Sequence, residues 1–218
     1  LNEEATIGSV IDRIPRTIDG CARVEVLVID DGSTDATAEI ARAAGATVIS
    51  HGYNRGVGAA LHTAIEEAIA RRADIAVNMD SDGQFDPTHI PLLIHPVLAG
   101  AADMATASRF KDPRLVPQMP ASKLLGNRAM SWLLSWLVGE RFADVSCGFR
   151  AYSREALLRL VLTGAFTYTQ ESFLVLASKG LRIKEVALEV RGVREHGESR
   201  VASSLVRYAT RTSAMTWP

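Results

Sequence analysis

The sequence lacks the features that mark disulfide-stapled, membrane-spanning or nucleic-acid-binding proteins. Its 218 residues include two cysteines, Cys21 and Cys147, which are too few for a disulfide framework or a structural zinc site. The longest apolar run, residues 130–139, is about half the length of a membrane-spanning helix. The 24 basic and 25 acidic residues leave a formal net charge of −1, so we expect no general attraction to nucleic acid.

What remains has the composition of one globular domain. Hydrophobic residues make up 47% of the chain and charged residues 22%, which are ordinary values for a folded protein. The length predicts a single domain over residues 1–218. The chain opens at Leu1 and not at Met, and it stops at Pro218, so we expect a fragment of a longer protein.

Short apolar segments alternate with helical ones along the chain. Residues 24–30 and 75–80 are brief, rich in apolar residues and end in Asp, which predicts buried strands, and residues 47–49 and 104–106 are shorter candidates. The predicted helices are residues 7–14, a segment capped by Ser33 or Thr34 that ends at Ala44, residues 61–69, and residues 122–138. This alternation predicts an α/β fold with a mostly parallel central sheet flanked by helices.

Acidic residues follow the first predicted strand. In open parallel sheets, ligands bind beyond the carboxyl ends of the strands. Asp30 and Asp31 occupy that position, and acids there commonly hold a ribose or a base amino group. The alternative is a plain turn at Gly32 in which Ser33 caps the following helix.

A second acidic pair follows the strand of residues 75–80. Asp80 and Asp82 stand at positions i and i+2, and on an extended chain such residues point to the same side. Two carboxylates, with the amide oxygen of Gln84, are the hard ligands that suit Mg²⁺ or Mn²⁺ on a diphosphate. The alternative is a solvated acidic turn.

A third motif, residues 54–58, precedes a predicted helix. Its glycines, Gly56 and Gly58, resemble a phosphate cradle at a helix N-terminus. The spacing is neither that of a dinucleotide-binding loop nor that of a P-loop. The five histidines show no metal-ligand spacing, and no Gly-x-Ser-x-Gly serine-hydrolase motif is present.

Together these motifs resemble family 2 glycosyltransferases, and among them the polyprenyl-phosphate sugar synthases of the dolichyl-phosphate mannose synthase type. The resemblance extends over nearly the whole chain. Its motifs occur in the family's order: Asn2-Glu3-Glu4, residues 30–35, residues 54–58, residues 80–84, Ser108-Arg109-Phe110, residues 144–152, and Arg194-x-x-Gly197-x-Ser199-Arg200.

The resemblance implies a role for each matching position. Asn2, Glu3 and Asp31 would lie near the base and ribose of the donor, with Asp30 and Arg55 in the same substrate-binding set. The ion on the diphosphate, Mg²⁺ or Mn²⁺, would be held by Asp80, Asp82 and Gln84. The remaining implied positions are Arg109 at the donor phosphate or sugar, Arg194, Ser199 and Arg200 near the phosphates of donor and acceptor, and Gln170 and Glu171 near the sugar, with Asp82, Arg109, Arg194 and Arg200 as the catalytic set.

The resemblance also implies a GT-A-type nucleotide-sugar-binding fold. Residues 1–110 would bind the nucleotide sugar and residues 111–218 the acceptor. The family's first strand, an apolar run that ends in Pro before Asn-Glu, is absent from this sequence, and a molecule without it would lack a central strand of the sheet. Cys147 stands where the family usually has Ser, and Ser81 replaces the commoner Ala.

The activity implied is inverting transfer of a sugar from a nucleoside-diphosphate sugar to a polyprenyl phosphate, such as dolichyl or undecaprenyl phosphate. A phosphate monoester has a second pKa near roughly 6, so this nucleophile needs no general base. Arg194, Arg200 and Lys123 suit such an acceptor. The alternatives are a GT-A glycosyltransferase that uses a saccharide or small hydroxyl acceptor, which requires a carboxylate base, a nucleotidyltransferase, and a non-catalytic nucleotide-sugar binder.

A lipid acceptor implies contact with a membrane surface. The apolar residues between Trp132 and Val138 form an interfacial helix in one interpretation, and a core or dimer helix in the other. We therefore expect a cytoplasmic protein that is peripheral to, or anchored at, the cytoplasmic face of a membrane, with a homo-oligomer as a further possibility.

Overall fold

The computed structural model describes residues 1–162 and 168–192. Its strands are β1 (Leu27–Asp30), β2 (Thr47–Ser50), β3 (Ile75–Asn78), β4 (Met104–Ser108), β5 (Arg150–Ser153) and β6 (Ile183–Ala187). Its α-helices are α1 (Ile7–Asp12), α2 (Thr37–Ala43), α3 (Val57–Ala70), α4 (Ile90–Leu98), α5 (Ala121–Val138), α6 (Arg154–Arg159) and α7 (Tyr168–Ser178). Short 3₁₀ turns lie at Pro87–His89 and Pro113–Leu115.

The strands confirm the α/β class and add one reversal of direction. β1 and β2 pair in parallel, and the other strands form a sheet in the order β3-β5-β4-β6. β4 and β6 are parallel, whereas β5 runs antiparallel to both of its neighbours. Pattern reading did not isolate β5, because the sequence Arg-Ala-Tyr-Ser has no apolar run.

The sheet is divided between β1 and β3. Within the described residues, β1 is hydrogen-bonded to β2 alone, and β3 to β5 alone. The residues of β3 are only half-buried, whereas every residue of β4 is buried.

The helices follow the predicted pattern except at the start of α2. Ser33 and Thr34 do not cap this helix, because the Ser33 hydroxyl accepts the backbone N–H of Asn2 (2.9 Å) and the Thr34 N–H donates to the side chain of Asn2 (2.9 Å). Helix α2 begins instead at Thr37, whose N–H donates to Asp35 (3.1 Å). The predicted cap is therefore wrong, since a long-range contact uses the hydroxyls that local pattern assigned to it.

The four-stranded sheet is covered on both faces. Leu93 and Ile94 of α4 pack with Phe149 in one apolar cluster, and Leu134 of α5 packs with Phe173 of α7 in another. Helix α5 packs against the core through the side that carries Leu134, whereas the side that carries Trp132 and Trp136 is exposed to solvent. No helix in residues 1–162 or 168–192 combines the length and the apolar character needed to cross a bilayer.

Candidate active site

One cleft is lined by the loops that follow β3, β4 and β6. Its polar lining residues are Asp80, Gln84, Arg109, Lys123, Ser146 and Arg191. They come from parts of the sequence more than 100 residues apart, and the strand order brings them together because β3, β4 and β6 run in the same direction. The cleft therefore lies where ligands bind in α/β sheets, beyond the carboxyl ends of parallel strands.

The loop of residues 80–84 bends and is not extended. Strand alternation therefore does not place Asp80 and Asp82 on one side, contrary to the expectation from their spacing. Asp80 is exposed and lines the cleft, whereas Asp82 is 2% exposed and accepts the backbone N–H of Gln84 at 3.0 Å. The two carboxylates thus have different surroundings.

Gln84 ties this loop to the segment after β6. Its side-chain amide donates to the carbonyl of Arg191 (3.2 Å), and the N–H of Arg191 donates to the carbonyl of Gln84 (3.0 Å). From the other side, the Thr6 hydroxyl donates to the carbonyl of Ser81 at 2.7 Å. The acidic loop is therefore fixed at both ends by contacts distant in sequence.

Arg109, at the end of β4, is held by a buried carboxylate. Its Nε and Nη2 donate to the two oxygens of Asp144 at 2.6 and 2.8 Å, and its backbone N–H donates to Oδ2 at 3.1 Å. Asp144 is fully buried, and Glu185 of β6 accepts the N–H of Asp144 at 2.8 Å. The guanidinium is therefore oriented before any ligand arrives.

Lys123 brings a second cation to the cleft from the first turn of α5. Burial lowers the pKa of Lys123, and the nearby Arg109 lowers it further. A charged ammonium in this position is costly, and an anion in the cleft would offset that cost.

A second cluster lies at the ends of β1 and β2. The Asp31 carboxylate accepts the backbone N–H groups of Arg55 (2.9 Å) and Gly56 (2.8 Å), and it contacts the ring of His51 (2.8 Å). His51 is thus a satisfied core histidine, as its lack of metal-ligand spacing suggested. Asp31 holds the loop before α3, and Gly56 adopts a φ of 94° there.

The N-terminal segment joins the cluster at the ends of β1 and β2. Asn2 contacts Ser33 and Thr34, and the Glu3 N–H donates to the Thr37 hydroxyl at 2.8 Å. Asp30 is buried and accepts the N–H of Ser33 at 3.0 Å. The structure therefore brings Asn2, Glu3, Asp30, Asp31 and Arg55 into one region.

Helix α7 contributes the predicted polar pair. Gln170 is buried and its side-chain amide donates to the Ser146 hydroxyl (3.2 Å), which faces the cleft. Glu171 is its neighbour in the first turn of the helix. Gln170 thus reaches the cleft through Ser146.

Pattern reading missed Arg150 and Tyr168. Arg150 is fully buried, and it donates to the carbonyls of Cys147 (2.8 Å), Val145 (3.0 Å) and Thr169 (2.7 Å). It therefore shapes the loop that carries Ser146 and Gly148. Burial, and then the nearby Asp80 carboxylate, raise the pKa of Tyr168, so its hydroxyl stays protonated at neutral pH.

Comparison with known proteins decides the family. The family model described as "Glycosyl transferase family 2" matches residues 1–161. The chain belongs to glycosyl transferase family 2. It is a glycosyltransferase, and the resemblance to polyprenyl-phosphate sugar synthases is confirmed by its relatives.

Two relatives and one solved structure illustrate the likeness. A dolichyl-phosphate hexose transferase of Haloferax volcanii is 34% identical over 190 residues, covering 87% of this chain and 79% of the relative. A UDP-N-acetylglucosamine–dolichyl-phosphate N-acetylglucosaminyltransferase of Methanococcus voltae is 29% identical over 209 residues, covering 86% and 81%. The glucosyl-3-phosphoglycerate synthase of Mycobacterium tuberculosis, in complex with Mn²⁺, UDP and phosphoglyceric acid, superposes with a TM-score of 0.74 at 28% identity, covering 100% of this chain and 76% of that one.

The loop of residues 80–84 carries oxygen ligands of the kind that a divalent ion binds. Asp80, Asp82 and Gln84 supply carboxylate and amide oxygens in one loop. In the described part of the chain, no three His, Cys, Asp or Glu side chains converge on one point. Mg²⁺ is often held by one or two carboxylates together with substrate phosphates, and of the two carboxylates in this loop Asp80 lines the cleft whereas Asp82 is buried. Arg194, Ser199 and Arg200 lie outside the described residues.

Proposed function

We propose that this family 2 glycosyltransferase transfers a sugar from a nucleoside-diphosphate sugar to a polyprenyl phosphate, with inversion at the sugar and with the help of Mg²⁺ or Mn²⁺. The observation that carries the proposal is the cleft in which Asp80 and Gln84 share a lining with Arg109, Lys123 and Arg191. Carboxylates for a cation and cations for phosphates are what a diphosphate donor and a phosphate acceptor require together.

The donor is expected to lie across both clusters. The base and ribose belong near Asn2, Glu3, Asp30, Asp31 and Arg55, and the diphosphate belongs in the cleft. When bound at Asp80, Asp82 and Gln84, the divalent ion supplies charge neutralisation for the leaving diphosphate. Arg109 adds a fixed guanidinium where negative charge develops, and Asp144 prevents it from having to reorient during the reaction.

The acceptor phosphate is expected on the side of Lys123 and Arg191, with Arg194, Ser199 and Arg200 added from the segment that follows. A phosphate monoester is largely dianionic at neutral pH, so the chain has to provide cations and not a base. Gln170, with Glu171 beside it, is proposed to face the transferred sugar through Ser146.

Helix α5 favours a lipid as the acceptor. Leu125, Ala129, Trp132 and Trp136 recur at helical spacing on one exposed face, and the two tryptophans are 71% and 70% exposed. The same helix carries Lys123 into the cleft. We propose that this face lies on the surface of a membrane, because tryptophan side chains favour the boundary between headgroups and acyl chains.

The decisive experiment is transfer of radiolabelled sugar from UDP- and GDP-sugars to undecaprenyl or dolichyl phosphate. The expected result is label that partitions into organic solvent in the presence of Mn²⁺ or Mg²⁺ and carries the inverted anomeric configuration. Asp80→Ala should reduce turnover at least about 10²-fold, as loss of transition-state charge stabilisation does, whereas the exposed Asp19→Ala is the matched control. Label that stays in water with every lipid phosphate would contradict the proposal.

A hydroxyl acceptor is the second candidate. It is favoured by the likeness to the glucosyl-3-phosphoglycerate synthase, whose complexes contain phosphoglyceric acid. The same assay with phosphoglyceric acid in place of the lipid phosphate distinguishes the two, since the product then remains in water. A nucleotidyltransferase finds no support in the family match, and release of inorganic diphosphate from a nucleoside triphosphate would be its signature.

A further inference from the structure

Three parts of the chain meet beneath the cleft at Asp80. Asn78 ends β3 two residues before Asp80, Gly148 belongs to the loop before β5, and Tyr168 begins α7. None of the three belongs to the donor or acceptor sets described above. Their side chains nevertheless determine how much room the Asp80 carboxylate has.

Tyr168 is buried and is held by Asn78. It is 6% exposed, and its hydroxyl is hydrogen-bonded to the side chain of Asn78. The Asn78 amide also donates to the carbonyl of Gly148 at 3.0 Å. A phenol both donates and accepts hydrogen bonds, whereas an ionised carboxylate only accepts them, so the hydroxyl and Asp80 are chemically complementary.

The absence of a side chain at residue 148 allows the two groups to approach. A Cβ atom on Gly148 would lie 2.9 Å from the Tyr168 hydroxyl oxygen and 3.4 Å from Oδ2 of Asp80. The hydroxyl and the carboxylate therefore border the same small space. Any larger residue at position 148 has to displace one of them.

We propose that Tyr168 is a positioning residue for the metal site: its hydroxyl, fixed by Asn78 and given room by Gly148, holds the Asp80 carboxylate toward the cleft. The inference rests on the proposed function, because it assigns Asp80 to a divalent ion. Groups that orient metal ligands through hydrogen bonds typically contribute about 10- to 100-fold to metal affinity.

The test is Mn²⁺ affinity measured by electron paramagnetic resonance, with UDP or GDP present, whichever stabilises the wild-type protein more. Tyr168→Phe should weaken Mn²⁺ binding about tenfold or more. The matched control is Tyr152→Phe, which removes the hydroxyl of another buried tyrosine, 1% exposed, whose oxygen has no hydrogen-bond partner among the described residues. The control should bind Mn²⁺ as the wild type does.

A second pair of variants tests the same contact without depending on one substitution. Gly148→Ala should also weaken Mn²⁺ binding, because its methyl group meets the hydroxyl first. In the Tyr168→Phe background that methyl group has room, so the double variant should bind no more weakly than Tyr168→Phe alone. If the losses of Mn²⁺ affinity in the two single variants multiply in the double variant, the two effects are independent and the proposal is overturned.

The outcomes separate this inference from the proposed function. If the wild type binds Mn²⁺ with nucleotide and Tyr168→Phe binds it equally well, the positioning role is wrong and the metal site stands. If the wild type does not bind Mn²⁺ with either nucleotide, both are overturned. Circular dichroism of each variant shows that the comparison is made between folded proteins.

Discussion

Several polar side chains in and around this cleft bind the backbone of other segments. Asp144, Arg150 and Gln84 each bind backbone groups of a loop that supplies lining residues. The bonds of Asp144 and Arg150 are partly or fully buried, and an unsatisfied partner is expensive there. The loops of the site are therefore set by a few polar residues and not by apolar packing alone.

The clearest consequence at this scale concerns Asp144. Asp144→Ala leaves Arg109 without its bidentate partner in a mostly buried position. We expect a loss of about 3–5 kcal/mol in the free energy of unfolding, as is typical when one partner of a buried pair is removed. Urea unfolding followed by circular dichroism measures it.

A second Asp–Arg ion pair in the chain serves as the control for this prediction. Asp112 and Arg114 also form a bidentate contact, at 3.1 and 2.7 Å, but at the surface. Asp112→Ala should cost far less, because solvent screens exposed pairs. Equal losses in the two variants would show that burial does not distinguish them.

Replacing Lys123 is expected to change stability and activity in opposite directions. Its pKa is lowered by burial and by Arg109, so between the folded and unfolded pKa values the unfolded chain binds more protons, and stability rises with pH in that window. Below the folded pKa, the cost of the charge is fully present. Lys123→Met should therefore raise the melting temperature at neutral pH and lower kcat/KM by about tenfold or more.

Differential scanning fluorimetry and the transfer assay measure both quantities. Lys184→Met, at an exposed position on β6, is the control and should change neither. A Lys123→Met protein that melts lower and transfers sugar normally would mean that Lys123 stabilises the fold and does not bind substrate.

At the level of elements, α5 connects the cleft with the surface. Its first turn supplies Lys123, its buried side supplies Leu134 to the core, and its exposed side carries Trp132 and Trp136. One helix thus has three different surroundings, which explains why it carries apolar residues on both its buried and its exposed side. The proposed membrane contact would align the cleft with the lipid phosphates.

The tryptophans allow that contact to be tested. Replacing both Trp132 and Trp136 with Ser should weaken binding to phosphatidylglycerol vesicles roughly 10-fold or more, since burying a large apolar side chain contributes about 1.5–3 kcal/mol. Sedimentation with vesicles measures it. Leu92→Ser, at an exposed apolar position on α4, should leave binding unchanged, and a similar loss there would remove the special role of α5.

In the whole molecule, the two sheets are connected by helix α3 and by a contact between two loops. The Thr6–Ser81 hydrogen bond connects the N-terminal segment, which lies at the end of β1, with the acidic loop after β3. A nucleotide diphosphate that spans both clusters would bind only the state in which they are correctly placed. Ligand binding should therefore stabilise the molecule as a unit.

A thermal-shift experiment tests this expectation. Nucleoside diphosphate with Mn²⁺ at about 100 times its Kd should add about 2.7 kcal/mol to the stability, which corresponds to a rise of about 5–10 °C in Tm for a chain of this size. Chelation with EDTA should remove most of the shift. A shift that is the same with EDTA would contradict metal-assisted binding of the diphosphate.

The sequence by itself determined the class of the fold and the family. Strand–helix alternation predicted the α/β class and helix α5, and the ordered motifs indicated the family, because these properties depend on local periodicity and on residue identity. Asp30, Asp31 and Asp80 could be placed at strand ends for the same reason.

Only the tertiary structure decided how those residues are held. The reversal of β5, the bend that separates the surroundings of Asp80 and Asp82, and the use of Ser33 and Thr34 by Asn2 depend on contacts distant in sequence. The same holds for Asp144 beneath Arg109 and for Tyr168 beside Asp80. Hydrogen bonds between segments that folding brings together leave no periodic signal in the sequence, so the positioning of the site becomes visible only in three dimensions.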